Sequence, residues 1–257
     1  MRPVQRGGNP IGKDFDNYAE AKPFLISRIG SGWYGNIQVA NYCSYCERPI
    51  STNLAVEHVQ PKGLKVGSIQ PYKHLHGRWE NFLLACVNCN STKGEQDVVL
   101  DELLLPDRDN TFIAYDYAQD GTVSVAITGP ARHLAAKTLE ICGLDKPATQ
   151  NVDDNHRAIA LERISQRMNS WGLAQSAKQE VDAEPDSHGI RNCVVKLALA
   201  QGFFSVWMKV FQNDIDMRIR LIKAFSGTHG SGCFDPETTA SISPAPNPDG
   251  LPHGGKL

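Results

Sequence analysis

The residues best suited to do chemistry crowd into one stretch, residues 42–94. Four cysteines stand there as two CxxC pairs, Cys43 with Cys46 and Cys86 with Cys89. Between the pairs lies the acid–histidine step Glu57-His58, and Asn90 directly follows the last cysteine. A CxxC corner offers two thiolates from one tight turn. Two such corners facing each other complete a tetrahedral zinc site with sulfurs about 2.3 Å from the metal. A redox CxxC would sit at a strand-to-helix turn in a βαβ setting, a pattern this chain lacks, and four unrelated cysteines would leave the paired spacing unexplained. The four are therefore assigned to one structural zinc ion. That assignment is silent on function, because many binding modules share it.

Inside the loop between the pairs, Glu57, His58 and Asn90 have the types that phosphodiester hydrolysis requires. The reaction needs a base to activate water and a hard divalent ion to stabilise the leaving oxygen. A histidine near neutrality suits the first task. A carboxylate and an amide oxygen suit the second, since Mg²⁺ takes oxygen ligands and keeps several waters. Lys62, Lys65, Lys73, Arg78 and Lys93 surround these groups against a single acid, Glu80, so a phosphate-facing patch can exist on a slightly acidic chain of net charge −2. Taken alone, the same lysines read as solvated loop charges. The neighbouring site favours the phosphate reading. His74 and His76 lie in the insert between, where structural or solvent-facing roles are the ordinary ones.

Short elements must position these groups. Leu54, Ala55 and Val56 form an apolar run that predicts a strand ending in Glu57-His58, and Phe82, Leu83, Leu84 and Ala85 predict a second strand after Asn81. Neighbours on a regular strand face opposite ways, so Glu57 and His58 can share a phosphate only if the strand ends or bulges there. Pro61 agrees with pairing that ends nearby. The segment after Asn90 predicts the helix of the finger, ended by Pro106 and weakened by Gly94.

The order Cys-x-x-Cys, Glu-His-x-x-Pro-Lys, Trp-x-Asn-Phe-Leu-Leu-x-Cys-x-x-Cys-Asn-x-x-Lys-Gly resembles the HNH endonucleases, whose core is a ββα-metal finger. The resemblance implies a catalytic set of Glu57, His58, Asn81 and Asn90. His58 is the general base, and Glu57 and Asn90 are ligands of a catalytic Mg²⁺ or Mn²⁺. Asn81 holds the loop that carries the base. Cys43, Cys46, Cys86 and Cys89 hold the structural zinc, and Lys93, with Lys62, lies near the substrate phosphate. Glu stands where many members have Asp or His, and Asn replaces the last His; both changes keep oxygen ligands. The resemblance also implies products with 5′-phosphate and 3′-hydroxyl ends.

Further along come Phe112, Tyr115 and Tyr117, then Asp120-Gly121, then a helix closing on Gly143-Leu144-Asp145, then Arg157 and Arg163. This order is similar to the HNH subunit of Septu-type anti-phage systems and their retron-associated relatives. It implies a defence role beside an ATPase partner of the ABC/SMC-like class. No GxxxxGK[ST] loop is present, so any dependence on ATP would come from that partner.

Across 257 residues, 41% apolar and 21% charged composition is ordinary for a soluble globular chain of one or two domains; the HNH resemblance, with the hairpin and helices read here, implies an α+β fold. We divide it into a lead-in with a helix (1–35), the nuclease core (36–108), a β-hairpin (109–128), a helical scaffold or partner-binding region (129–226) and a disordered tail (227–257). Residues 1–14 read as a loose, basic terminus without the apolar stretch of an exported leader. No stretch has the composition of a membrane span. Zinc thiolates with Cys142, Cys193 and Cys233 left over fit a cytoplasmic protein. Residues 15–29 read as a helix, residues 30–35 as a turn-rich link, and Trp33 and Tyr34 as packed on the finger. Asp153 or Asp154 caps a helix carrying Ile159, Arg157, Arg163 and Arg167, whose arginines read as a solvated or phosphate-facing edge. Residues 188–225 read as one long helix or two. Their wide apolar stripe, including Phe203, Phe204, Trp207, Met208 and Phe211, is buried or meets a partner or a second copy through 190–225. Two other functions stay open: cleavage of RNA or tRNA by the same site, and a zinc-stapled nucleic-acid-binding module without catalysis.

Overall fold

The computed structural model describes residues 1–145 and 154–257, with the side chains of 154–160 excepted. Asp153 and the side chains of Asp154, Arg157 and Ile159, named above, lie outside the described set. Among the described residues the architecture is α+β, with three separate two-stranded antiparallel sheets.

The lead-in winds from a 3-10 turn, Tyr18–Ala21, through α1 (Lys22–Leu25) into a π-turn at Ile26–Gly30. The expected turn-rich link is instead a hairpin of β1 (Ser31–Tyr34) and β2 (Ile37–Asn41). Gly35, at φ +58°, supplies the left-handed residue that so tight a reversal needs. Trp33 is partly exposed, and Tyr34 packs on the helical core rather than on the finger as expected.

The finger follows the expected order. Strand β3 (Ala55–His58) pairs with β4 (Phe82–Ala85) in unbroken register from Ala55 opposite Ala85 to His58 opposite Phe82. Helix α2 (Val87–Lys93) begins earlier than its sequence suggested. The second CxxC is itself the first helical turn, with Cys86 at the cap accepting a hydrogen bond from the Cys89 N–H. Gly94 closes the helix at φ +50°, where any side chain would be strained. Asn90 and Lys93, three residues apart, therefore share one face of α2. The apolar run beyond leaves the helix, and Val98, Leu103, Leu104 and Leu105 are buried on either side of a 3-10 turn, Leu100–Glu102.

Helix α3 (Thr111–Ala114) leads into a hairpin, β5 (Tyr115–Tyr117) with β6 (Val123–Val125), shorter than expected. Helix α4 (Arg132–Cys142) ends on left-handed Gly143, as its sequence predicts. Helix α5 (Asp154–Ala183) follows. Residues 188–225 form three helices, α6 (His188–Gln201), α7 (Phe204–Val210) and α8 (Ile215–Ala224). Positive φ at Gly202 and Phe203 breaks the first junction, and Asp214 caps the third helix by accepting from the Met217 N–H at 2.9 Å.

Two apolar cores result. One surrounds β4 and joins Leu25, Tyr45, Trp79, Phe82, Leu84 and Leu139. The other gathers Leu199, Phe204, Trp207, Met208, Phe211 and Leu221. The stripe considered for a partner or second copy is thus consumed inside the molecule. Ile215 is its main exposed member.

Both ends of the described chain depart from expectation. Met1, Arg2, Val4 and Arg6 are buried rather than loose. The Arg6 guanidinium donates to the Phe82 carbonyl and pairs with Asp107 at 3.0 Å. The tail read as disordered packs Phe234, Ala245 and Leu251 inward. Asp249 accepts from the Arg6 and Gly7 N–H groups at 2.9 and 2.8 Å, and Asn110 donates to the Cys233 and Ile242 carbonyls. Composition reports only a segment's own apolar content. These segments are held by polar groups supplied from elsewhere in the chain. Among the described residues, no helix is long and apolar enough to cross a membrane.

Candidate metal centre and active site

The first CxxC turn and the start of α2 bring Cys43, Cys46, Cys86 and Cys89 together, all buried, with their sulfurs within 4.8 Å of one another. Cys46 Sγ and Cys86 Sγ are 3.8 Å apart. Four sulfurs at a zinc–sulfur distance of 2.3 Å would stand about 3.8 Å apart at tetrahedral corners. The donor set and its spacing thus fit one zinc ion. Burial pushes the Cys46 thiol well up, which makes a buried cation the natural means of holding thiolates here.

Arg163 of α5 is a participant that its sequence context concealed. It is buried, donates to the Gly143 carbonyl at 2.8 Å and reaches Cys89 Sγ at 3.5 Å. Burial opposes its charge, but the four cysteines outweigh burial and raise its pKa. Arg167 is also buried, donating to the Gly121 carbonyl at 2.5 Å. Neither arginine lies on a solvated or phosphate-facing edge. No local signal separates a buried arginine from an exposed one at helical spacing.

Beside β3, a cavity of about 220 Å³ is lined by Tyr18, Glu57, His58, Lys62, Asn90 and Lys93 among others. Strand β3 ends at His58 without a bulge, which lets Glu57 and His58 border one space. His58 Nε2 lies 2.9 Å from the His76 carbonyl oxygen. A carbonyl only accepts, so Nε2 carries the proton and Nδ1 keeps its lone pair. Tyr18 and Phe82 meet the ring edge-on at 4.8 and 5.2 Å, and the His76 ring stacks at 5.8 Å. Burial first, then nearby Lys62 and Lys93, push the His58 pKa down to about 4 against the His76 hydrogen bond, so the ring is neutral at pH 7.

Asn81 sits behind the cavity. Its Oδ1 accepts from the Gln60 N–H at 2.8 Å, its Nδ2 donates to the Gln60 carbonyl at 3.0 Å, and its own carbonyl accepts from the Val59 N–H at 2.8 Å. These three bonds brace the residues immediately after His58. Lys62 stands over the Tyr18 ring, its Nζ 3.7 Å from the centroid.

Glu57 is buried, and burial pushes its pKa up to about 6 against the pull of Lys93. Lys93 is also buried, with Nζ 2.9 Å from Glu57 Oε1, so it is not a free surface lysine. Glu57 Oε1 has no well-aligned hydrogen-bond donor. A carboxylate oxygen held only by a buried ammonium, lining the same cavity as the Asn90 amide, fits a hard divalent cation. Of the other basic residues, Lys65, Lys73 and Arg78 are exposed outside this lining, and Arg78 pairs with Asp14. His74 is exposed, and His76 contributes its carbonyl and its ring. Sequence reasoning missed Tyr18 as a wall of the site and the His76 carbonyl as the anchor of the base.

Residues 43–96 match the family model described as HNH endonuclease. This stretch is an HNH endonuclease domain. The match begins on the first cysteine of the buried cluster and ends just beyond α2, enclosing β3, β4, the four cysteines and the cavity residues Glu57, His58, Lys62, Asn90 and Lys93, while Tyr18, Arg163 and Arg167 lie outside it. No curated protein and no solved structure matches the chain. The HNH domain implies a nuclease acting on nucleic acid.

Proposed function

We propose that this chain is a metal-dependent endonuclease that hydrolyses phosphodiester bonds in DNA. The observation that carries the reading is the convergence of Glu57, His58 and Asn90 on one cavity within the HNH domain. His58 Nδ1 takes a proton from water, and the oxygen attacks phosphorus in line with the departing 3′ oxygen. The Nε2–H bond to the His76 carbonyl holds the ring in the acting tautomer and accommodates the charge that the ring gains. Asn81 keeps the turn after His58 from drifting. Mg²⁺ or Mn²⁺ held by Glu57 and Asn90 would supply stabilisation of charge on the phosphate and the leaving oxygen. Lys62, at the cavity, is placed to meet a backbone phosphate. The zinc cluster fixes the corner from which α2 departs and does no chemistry.

The wider setting we propose is cytoplasmic defence against invading phage or plasmid DNA, beside an ATPase partner of the ABC/SMC-like class. Support for it comes from the resemblance of residues 112–163 to Septu-type subunits. The test presents supercoiled plasmid and structured RNA to the purified protein, alone and with its genomic neighbour, with Mg²⁺ or Mn²⁺ and with chelator. Metal-dependent nicking of the plasmid in preference to RNA supports the reading. Faster cleavage of RNA would replace DNA as the substrate. Binding without cleavage of either would favour the zinc-stapled binding module.

A further inference from the structure

We infer that Lys93 is a tethered counter-ion for the candidate metal position: its ammonium holds Glu57 until a divalent cation takes that carboxylate, and then moves into the cavity. The inference rests on the reading of Glu57 as a metal ligand. Glu57 lies on β3 and Lys93 on α2, and both side chains are almost fully buried, at 2% and 3% exposure. Their 2.9 Å approach is an ion pair, yet Glu57 Oε1 lacks an aligned donor. The ammonium has three protons to give, and the structure provides it no second ion-pair or hydrogen-bond partner among the described residues. The pair therefore holds by charge more than by geometry.

Physical chemistry explains why such a residue would be there. A buried carboxylate left without a counter-charge is strongly unfavourable. A ligand set awaiting a metal needs some cation in the meantime, and Lys93 supplies it from the same helix face as Asn90. A divalent ion and an ammonium cannot both sit against Glu57 without mutual repulsion in so dry a site. Binding of the metal thus requires Lys93 to leave. The other void that Lys93 lines, with Tyr45, Thr138 and Cys142, is about 10 Å³, no larger than one water. The way out is the 220 Å³ cavity that Lys93 also lines. A flexible four-carbon stem permits this swing, as a planar guanidinium would not. In the exchanged state the ammonium faces the space a phosphate would occupy. Lys93 would then act as a switchable positioning residue that makes metal binding weaker in the resting site.

The first test compares Mn²⁺ affinity of the zinc-loaded wild-type chain and Lys93→Met, read by electron paramagnetic resonance of free Mn²⁺. Met keeps the length of the stem and removes the charge. Affinity should tighten by about tenfold or more with zinc content unchanged. The second test needs no variant. Reductive methylation of wild-type Lys93, followed by peptide mass spectrometry, should be slow without divalent metal and several-fold faster with saturating Mg²⁺, while exposed Lys13 keeps a constant rate. Equal or weaker Mn²⁺ affinity in a folded Lys93→Met, or persistent protection of Lys93 with metal bound, overturns the inference. If either occurs while metal-dependent cleavage still requires His58, the exchange alone is wrong and the nuclease reading stands. Absence of both Mn²⁺ binding and cleavage would remove the metal site itself, and the inference with it.

Discussion

His58 gathers most of the physics of the site into one ring. Its proton is fixed on Nε2 by a carbonyl that can only accept, and Tyr18, His76 and Phe82 wall it from water. Burial depresses its pKa from 6.5 to about 4, so between those values the unfolded chain binds more protons than the folded one. The contribution of neutral, buried His58 is fully present above pH 6.5 and is lost as pH falls toward 4. Glu57 works in the opposite sense, because burial raises its pKa from 4.5 to about 6 and folding then favours the protonated acid. The stability difference between wild type and His58→Ala should therefore shrink as pH falls from 6.5 to 4, since Glu57 is common to both. Denaturant titrations across that range measure it, and a constant difference would contradict the assigned burial. At this scale the sequence was most legible. Cysteine pairs and the Glu-His step carry their chemistry in residue type and spacing. The Lys93–Glu57 pair, the Tyr18 wall and the His76 carbonyl were hidden, because each is a contact between segments far apart in sequence.

Strands and helix are short here, and the four-cysteine cluster at their junction ties them in place. Strands β3 and β4 have four residues each and α2 has seven. Such elements are marginal in isolation and depend on tertiary ties. Cys86 serves both the sulfur cluster and the helix cap, so the metal site and the start of α2 are one object. Cys86→Ser should abolish stoichiometric zinc and lower the thermal midpoint by about 10 °C or more, given the folding free energy that structural zinc carries. Metal analysis and calorimetry check this; one zinc per chain with an unchanged midpoint would contradict the four-sulfur site. The strand pair was readable from its apolar runs. The start of α2 was not, because a CxxC turn looks like a loop motif until the cap bond to Cys89 is seen. The three-way break of residues 188–225 was likewise masked, since an apolar period continues through the positive-φ corner at Gly202 and Phe203.

Over the whole molecule, the two ends of the chain close around the HNH domain. Arg6 reaches from the first residues to the Phe82 and Glu80 carbonyls and to Asp107, and Asp249 from the last residues holds the Arg6 backbone. Lys256 pairs with Asp109 at 3.1 Å, and Arg108 donates to the Pro252 carbonyl. Arg108 also holds Asp107, through two bonds of 3.1 Å, so removing Arg6 does not leave that carboxylate bare. Arg6→Ala should therefore cost about 2–3 kcal/mol, from the buried Phe82 and Glu80 carbonyls that lose a charged donor, and loosen β4 along with it. Urea unfolding would measure the loss, and a change below 1 kcal/mol would indicate a merely exposed pair. Polar clamps of this kind are invisible to composition, which is why both ends read as loose. The helical core, by contrast, was legible as a wide apolar stripe, and its destination is the interior.

The most direct measurement is the rate of metal-dependent plasmid nicking by wild type and by His58→Ala, each verified to carry one zinc per chain and a native thermal midpoint. The account predicts that the variant loses about 100-fold or more in rate, the contribution expected of a positioned general base. Nicking by His58→Ala at the wild-type rate would contradict it.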